Sequence, residues 1–327
     1  MSTSSLPSSA NTPAAAAPAV TVVIQTYNRS NILPYAIGSV LWQRFRDWEL
    51  LVIGDGCTDD SAAVVARFTD PRIRFINLAE RVGDQSGPNN EGVRQARGRY
   101  VAYLNHDDLW FPDHLERVLP AFDDLSVDVV FTMPLEIDPD GRFRVNMVYP
   151  DGFYDPRGAP PISSWVVRRD AYARWGLFRH RDECWSVPTQ DWLFRAWRRG
   201  ARILHLSAPT VLVINSAQRR NTYSERQDAE QRHWYGAIRN ETGLRERALA
   251  AALSHPGPTH LRMLSSRVLA KSMAMRLIAR CALALRVEPE AVYFYLTFPK
   301  RWGFLPQRGV VIRELYRRRG LPPWTEK

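Results

Sequence analysis

Cysteine is scarce in this chain: only Cys57, Cys184 and Cys281 occur in 327 residues. An odd number without metal-site spacing argues against a disulfide framework and suits a reducing cytoplasm. Long apolar runs are also missing, and no stretch approaches the roughly 20 uncharged residues of a membrane-spanning helix. The start, MSTSSLPSSANTPAAAAPA, has neither the basic n-region nor the apolar core of a signal peptide. Its Ser/Pro/Ala bias predicts a disordered leader over residues 1–18. No Gly-x-Gly-x-x-Gly follows the first apolar strand and there is no Walker-type lysine loop, so dinucleotide dehydrogenase and P-loop chemistry are poorly supported.

What remains is an ordinary globular composition, 45% hydrophobic and 24% charged, with a net charge of +10. Its length suffices for one large domain or two modest ones. The charge is uneven: residues 218–327 hold 21 Lys and Arg against 9 Asp and Glu, leaving 23 against 25 for residues 1–217. A basic third of this kind is a solvated helical face, or a surface for an anionic membrane or a phosphate-bearing partner. No recognised nucleic-acid motif accompanies it, and nucleic acid is not expected as a partner.

The chain is organised around RYVAYLNHDDLWFPD, residues 99–113. The apolar run Tyr100–Leu104 ends in Asn105, His106, Asp107 and Asp108, and Pro112 then opens a helical pattern. Two adjacent carboxylates at the end of a buried strand are costly without a cation or hydrogen-bond donors nearby. Open α/β sheets bind ligands at that position, and hard oxygen ligands there suit Mg²⁺ or Mn²⁺ held with a diphosphate. A plain strand-to-helix turn accounts for Asn and Asp equally well. Upstream, Ala19–Gln25 and Trp48–Ile53 read as buried strands and residues 31–43 as a helix; Ile73–Ile76 reads as a third strand and residues 88–97 as a further helix. This alternation predicts βαβ units and a parallel sheet with right-handed crossovers. It aligns Thr26-Tyr27-Asn28-Arg29, Asp55-Gly56-Cys57-Thr58-Asp59 and His106-Asp107-Asp108 along one sheet edge.

Past residue 122 the pattern changes. Strands are expected over Val127–Thr132, Ser163–Val167 and Ala201–Leu206, with hairpins and loops over 133–162. Asp191 opens a helix that stops at Gly200, where a carboxylate is favoured by the helix dipole alone. Arg219 and Arg220, just after the last strand, either fold back onto a diphosphate or lie in a surface loop. His106 reads as a hydrogen-bonding neighbour of the carboxylates and His205 as a structural histidine.

Together these motifs resemble a family 2 glycosyltransferase with the GT-A fold. The resemblance covers roughly residues 20–215 and rests on Thr26-Tyr27-Asn28-Arg29, Gly54-Asp55-Gly56-Cys57-Thr58-Asp59, Asn90-Glu91-Gly92, Gly98-Arg99-Tyr100, Asn105-His106-Asp107-Asp108 and Gln190-Asp191-Trp192. It implies a Rossmann-like, mostly parallel sheet flanked by helices over residues 19–217, with a helical basic extension over 218–327. It also implies that Thr26 to Arg29 and Asn90 belong to the nucleotide-sugar site and that Asp55 meets the base. Asp107 would approach the ribose or metal, Asp108 would ligate Mg²⁺ or Mn²⁺, and Asp191 would deprotonate an acceptor hydroxyl, with inversion at the anomeric carbon. Gly54, Asn105 and Gln190 stand where the family has carboxylates; none of the three is a group the mechanism requires.

The implied partners are a nucleotide-diphosphate sugar donor and a glycan or lipid-linked acceptor, in cell-surface polysaccharide or glycoconjugate synthesis. A non-catalytic nucleotide-sugar-binding or assembly protein on the same fold is the alternative. Helices are expected over 225–253 and 259–286; the second would lie on a membrane, pack on the catalytic domain or form a dimer contact. The terminal stretch from Thr297 mixes aromatic and basic residues, which ranks peripheral contact with an anionic membrane above nucleic-acid binding. Oligomeric state has no readable signal.

Overall fold

The computed structural model describes residues 17–145, 149, 151–156, 158–214, 219–254, 277–278, 280–285, 287, 292 and 308–321. Most of the helix expected over 259–286 lies outside the described residues.

The β-branched and apolar runs form the strands that their composition calls for. β1 (Val20–Thr26), β2 (Trp48–Gly54), β3 (Ile73–Asn77) and β4 (Tyr100–Asn105) pair in parallel in the order β3-β2-β1-β4. β1 and β2 are buried almost throughout, as strands covered on both faces must be. α1 (Leu33–Leu41) and α2 (Ser61–Ala66) lie on one face, and α3 (Ser86–Gln95) lies on the other. Parallel pairing places the carboxyl ends of β1, β2 and β4, with Thr26, Asp55 and Asn105 to Asp108, along one edge.

Beyond β4 the sheet becomes mixed. β8 (Trp165–Arg168) runs antiparallel to β4 and to β6 (Val127–Ile137). β9 (Arg202–Ile214) runs parallel to β6, and β5 (Leu109–Trp110) closes the far edge against β9. β7 (Phe143–Val145) is a short flap on β6. β6 and β9 each outrun the expected strand, continuing through Pro134 and Pro209, because register shifts at Thr132, Met133 and Pro134 accommodate the prolines. α4 (His114–Val118) follows Pro112, while α5 (Ala171–Trp175) and α6 (Pro188–Arg198) pack on the same face as α3.

The helix expected over 225–253 is two helices, α8 (Ala229–Asn240) and α9 (Leu244–Ser254), broken at Gly243 with its φ of +73°. Both bury their apolar faces with Leu109, Leu135, Leu212 and Ile214, at the end of the sheet formed by β5, β6 and β9. Between β9 and α8 the short α7 (Thr222–Glu225) is pinned to the loops after β1 and β2: Arg226 reaches Ser30 Oγ at 2.5 Å and Asp59 at 3.2 Å. A last helix, α10 (Val310–Arg318), returns to the carboxyl edge of the sheet. Among the described residues no helix is long and apolar enough to cross a membrane.

Candidate functional site

Two adjoining cavities open at the carboxyl edge. The narrower is lined by Thr26, Tyr27, Asp55, Arg81 and Asp84 from the sheet side, and by Tyr223, Tyr316 and Leu321 from the other. Asp55 is buried and accepts Val82 N at 2.7 Å and Gly83 N at 2.8 Å, so its carboxylate folds the loop after β3 back over the cleft. Burial nevertheless outweighs those two donors and raises its pKa. The Arg81 guanidinium lies 4.0 Å over the Tyr27 ring, and the Thr26 hydroxyl is buried with no hydrogen-bond partner. Asp84 is buried too, held by Ser86 N at 2.6 Å and Arg181 N at 2.9 Å.

The wider cavity, of about 200 Å³, is lined by Asn105, His106, Asp107, Asp108 and Glu136, among others. Asp108 is buried; Ser163 Oγ donates to it at 2.5 Å, Asn105 Nδ2 at 3.2 Å and Ile214 N at 3.0 Å. All three donors are neutral. Burial first, and then the neighbouring Asp107 charge, push the Asp108 pKa well above the usual carboxylate range. His106 Nδ1 is 3.0 Å from Gln25 O, and burial lowers its pKa, so the neutral ring donates from Nδ1 to that carbonyl. That hydrogen bond runs to the backbone of β1. His205 packs against Phe131 and Tyr149 in the core, as a structural histidine does.

Two carboxylates side by side, one of them held by neutral donors alone, are a donor set that fits a divalent cation. Among the described residues no three His, Cys, Asp or Glu side chains converge as a cage. Phosphate oxygens and water would therefore have to complete the shell, the arrangement Mg²⁺ favours.

The remaining residues singled out in the sequence fall in several places. Asn28 adopts φ +48° and clamps the β1 and β2 loops together: its Oδ1 accepts Thr58 N at 2.8 Å and Asp59 N at 3.2 Å. Arg29 is buried, donates to Thr222 O and lies 5.0 Å over the Tyr223 ring, so it braces α7. Asn90 exchanges two 2.9 Å hydrogen bonds with the backbone of Phe178 and lines neither cavity. Arg219 is engaged by Glu230 and Arg220 is exposed; neither lines either cavity. Asp191 sits in the first turn of α6, buried, with Arg195 Nε on Oδ2 at 2.7 Å and Arg179 3.8 Å from Oδ1.

Sequence reasoning missed Arg81, Asp84, Ser163, Tyr316 and Arg319. Asp84, whose Oδ1 accepts Ser86 N two residues on, was a readable turn signal just before α3. The others carry no local signature.

Residues 21–176 match the model of glycosyl transferase family 2. Over that segment the chain is similar to family 2 glycosyltransferases. Asp191 lies beyond the matched segment. Over 125 residues, 38% of this chain, it is 35% identical to the succinoglycan biosynthesis protein ExoO of Rhizobium meliloti (strain 1021). Over 97 residues, 30% of the chain, it is 34% identical to the Escherichia coli UDP-Glc:alpha-D-GlcNAc-diphosphoundecaprenol beta-1,3-glucosyltransferase WfgD. These matches span 36% and 38% of the two relatives. Among solved structures, residues 1–349 of S. aureus TarS with UDP-GlcNAc match at a TM-score of 0.53 and 16% identity, covering 87% of this chain and 92% of that one. The Pyrobaculum calidifontis mannosyltransferase PcManGT with GDP-Man and Mn2+ matches at 0.52 and 16%, covering 88% and 89%. At that identity the likeness establishes the GT-A fold.

Proposed function

We propose that this chain transfers a sugar from a nucleoside-diphosphate donor to a hydroxyl of a glycan or lipid-linked acceptor, with inversion at the anomeric carbon and with Mg²⁺ or Mn²⁺. The observation that carries the reading is Asp108 beside Asp107: a buried carboxylate with neutral donors only, opening into a cavity that adjoins the Thr26–Tyr27–Asp55 cleft. The pair would hold the cation, which when bound offsets negative charge on the departing diphosphate. Ser163 and Asn105 fix the Asp108 carboxylate, leaving its orientation set before any ligand arrives. Asp55 and Tyr27 form the sheet-side wall for the base.

Asp191, which lines neither cavity itself, would accept the acceptor's proton through Oδ1, while Arg195 holds Oδ2 and fixes the orientation of the carboxylate. One base and direct displacement give inversion. The succinoglycan and diphosphoundecaprenol names among the relatives support surface-polysaccharide synthesis, on the cytoplasmic side where a peripheral enzyme reaches a lipid-linked acceptor.

A thermal-shift panel of UDP, GDP, dTDP and their sugar conjugates, with and without Mn²⁺, tests the reading. A Mn²⁺-dependent rise for one nucleotide, lost in Asp108→Asn, is expected. Folded protein that responds to no nucleotide would refute it. With the donor known, Asp191→Asn should lower kcat about 10²- to 10⁴-fold while nucleotide binding persists. Unchanged kcat would remove Asp191 from the role of base.

A further inference from the structure

Residues 308–321 cross the donor side of the sheet as a strap fastened at both ends. At one end Gly309 N donates to Cys184 O at 3.1 Å; at the other, Arg318 O accepts Asn221 N and Arg319 O accepts Tyr223 N, each at 3.0 Å. Glycine is required at both fastenings. Gly309 has φ +76° and a Cβ there would meet Asp182 Oδ1 at 2.6 Å; Gly320 has φ +73° and a Cβ would meet Ser224 Oγ at 2.9 Å. α10 ends in a paired turn, Leu321 N to Tyr316 O at 3.1 Å and Gly320 N to Arg317 O at 3.3 Å, the Schellman arrangement. That turn brings Tyr316, Arg319 and Leu321 to the two cavities.

The strap has different consequences for the two cavities. Where Tyr316 and Leu321 join Tyr223 against Thr26, Tyr27 and Asp55, about 20 Å³ is left, room for about one water and far less than a nucleobase needs. The cavity holding Asp107 and Asp108 keeps about 200 Å³. Arg319 is the one Arg or Lys lining it among the described residues, facing three carboxylates, and its Nε is buried without a hydrogen-bond partner. An aromatic ring therefore stands in the base cleft and a cation stands beside the carboxylates, chemical stand-ins for a nucleoside and for the charge of a metal.

We propose that residues 308–321 are an autoinhibitory cap that occupies the donor site, with Tyr316 and Leu321 in the base cleft and Arg319 countering Asp107 and Asp108, and that nucleotide and metal must displace it. The inference rests on the donor-site reading above. Affinity for nucleotide is then reduced by the fraction of molecules that are uncapped. A chain capped nine times in ten binds about tenfold more weakly than one held open.

Isothermal titration of the full chain with UDP, GDP and dTDP in Mn²⁺ provides the test. Tyr316→Ala and the milder Leu321→Ala should each bind the accepted nucleotide more tightly, by about tenfold for Tyr316→Ala. Arg319→Ala should strengthen binding of Mn²⁺ alone. Arg317→Ala, an exposed residue paired with Glu314 at 2.7 Å, should match the parent. If the parent binds nucleotide and the Tyr316, Leu321 and Arg319 variants bind it equally or more weakly, the strap is a wall of the donor site and the cap is overturned while the donor reading stands. If neither the parent nor any uncapped variant binds nucleotide, both fall together.

Discussion

The two edges of the parallel sheet treat buried acid in opposite ways. At the amino edge Glu49, near the start of β2, is buried and its oxygens are taken up by Thr21 Oγ1 at 2.7 Å, Arg97 N and Arg97 Nε at 2.8 Å and Arg74 at 3.3 Å. Burial pushes its pKa up, but the Arg97 and Thr21 hydrogen bonds outweigh that and leave it lowered. At the carboxyl edge Asp55 and Asp108 receive only backbone, hydroxyl and amide donors, and burial leaves both raised. A protein that hydrogen-bonds arginines to one buried carboxylate and gives the others only neutral hydrogen-bond donors has left charge at the carboxyl edge to be met in another way, by a bound cation or, in the capped state proposed above, by Arg319. Position relative to strand direction decides which is which, as expected where ligands bind outside the carboxyl ends of strands.

The sharpest way to break this contrast is to neutralise each edge in turn. Asp108→Asn removes a charge whose burial is uncompensated, so the melting temperature should hold or rise, while Mn²⁺-dependent nucleotide binding falls on the order of 10²-fold or more. A lower melting temperature with binding intact would show Asp108 to be a structural group. Glu49→Ala should do the reverse. Loss of charged hydrogen bonds at a buried site costs about 1.5–3 kcal/mol in urea unfolding, with nucleotide affinity of the folded protein unchanged. An altered affinity would mean that the amino edge communicates with the site.

The same contrast explains what was legible in the residues alone. Thr26, Asp55, Asp107 and Asp108 could be placed because strand period and local turn signals are short-range, and parallel pairing converts strand ends into neighbours. β6 and β9 were read too short because Pro134 and Pro209 signal loops, and only the paired strand absorbs them through a shifted register. Asn28 and Asn90 were read toward a ligand, whereas Asn28 staples two loops and Asn90 secures Phe178; a motif shows that an asparagine is needed but not which partner it faces. The strap was invisible for a different reason. Its partners, Asp182 to Cys184 and Asn221 to Ser224, are distant in sequence, so Tyr-Arg-Arg-Arg-Gly-Leu reads as one more basic surface. Arg219 and Arg220, which the sequence leaves between folding back onto a diphosphate and lying in a surface loop, line neither cavity.

Burial can also shift a pKa with no ligand in view, and His114 is the control for that case. It is fully buried at the start of α4, stacked 4.3 Å from Trp110, with Nδ1 2.8 Å from Thr210 Oγ1 and Nε2 without a partner. Burial holds its pKa down to about 3. An unfolded histidine titrates near 6.5. Because the folded value is the lower one, the unfolded chain binds the proton first, so stability is complete above about pH 6.5 and declines as pH falls toward 3. The slope is about 1.4 kcal/mol per unit, or about 2 kcal/mol between pH 6.5 and 5. His114→Asn keeps a polar atom toward Thr210 but cannot be protonated. Urea unfolding across that range should therefore show a shallower pH dependence in the variant, by about 2 kcal/mol, with nucleotide affinity at pH 7.5 unmoved. Parallel pH profiles would remove His114 as the source of the acid sensitivity, and Asp55 and Asp108 could not replace it, because carboxylates whose folded pKa is raised stabilise the fold as pH falls.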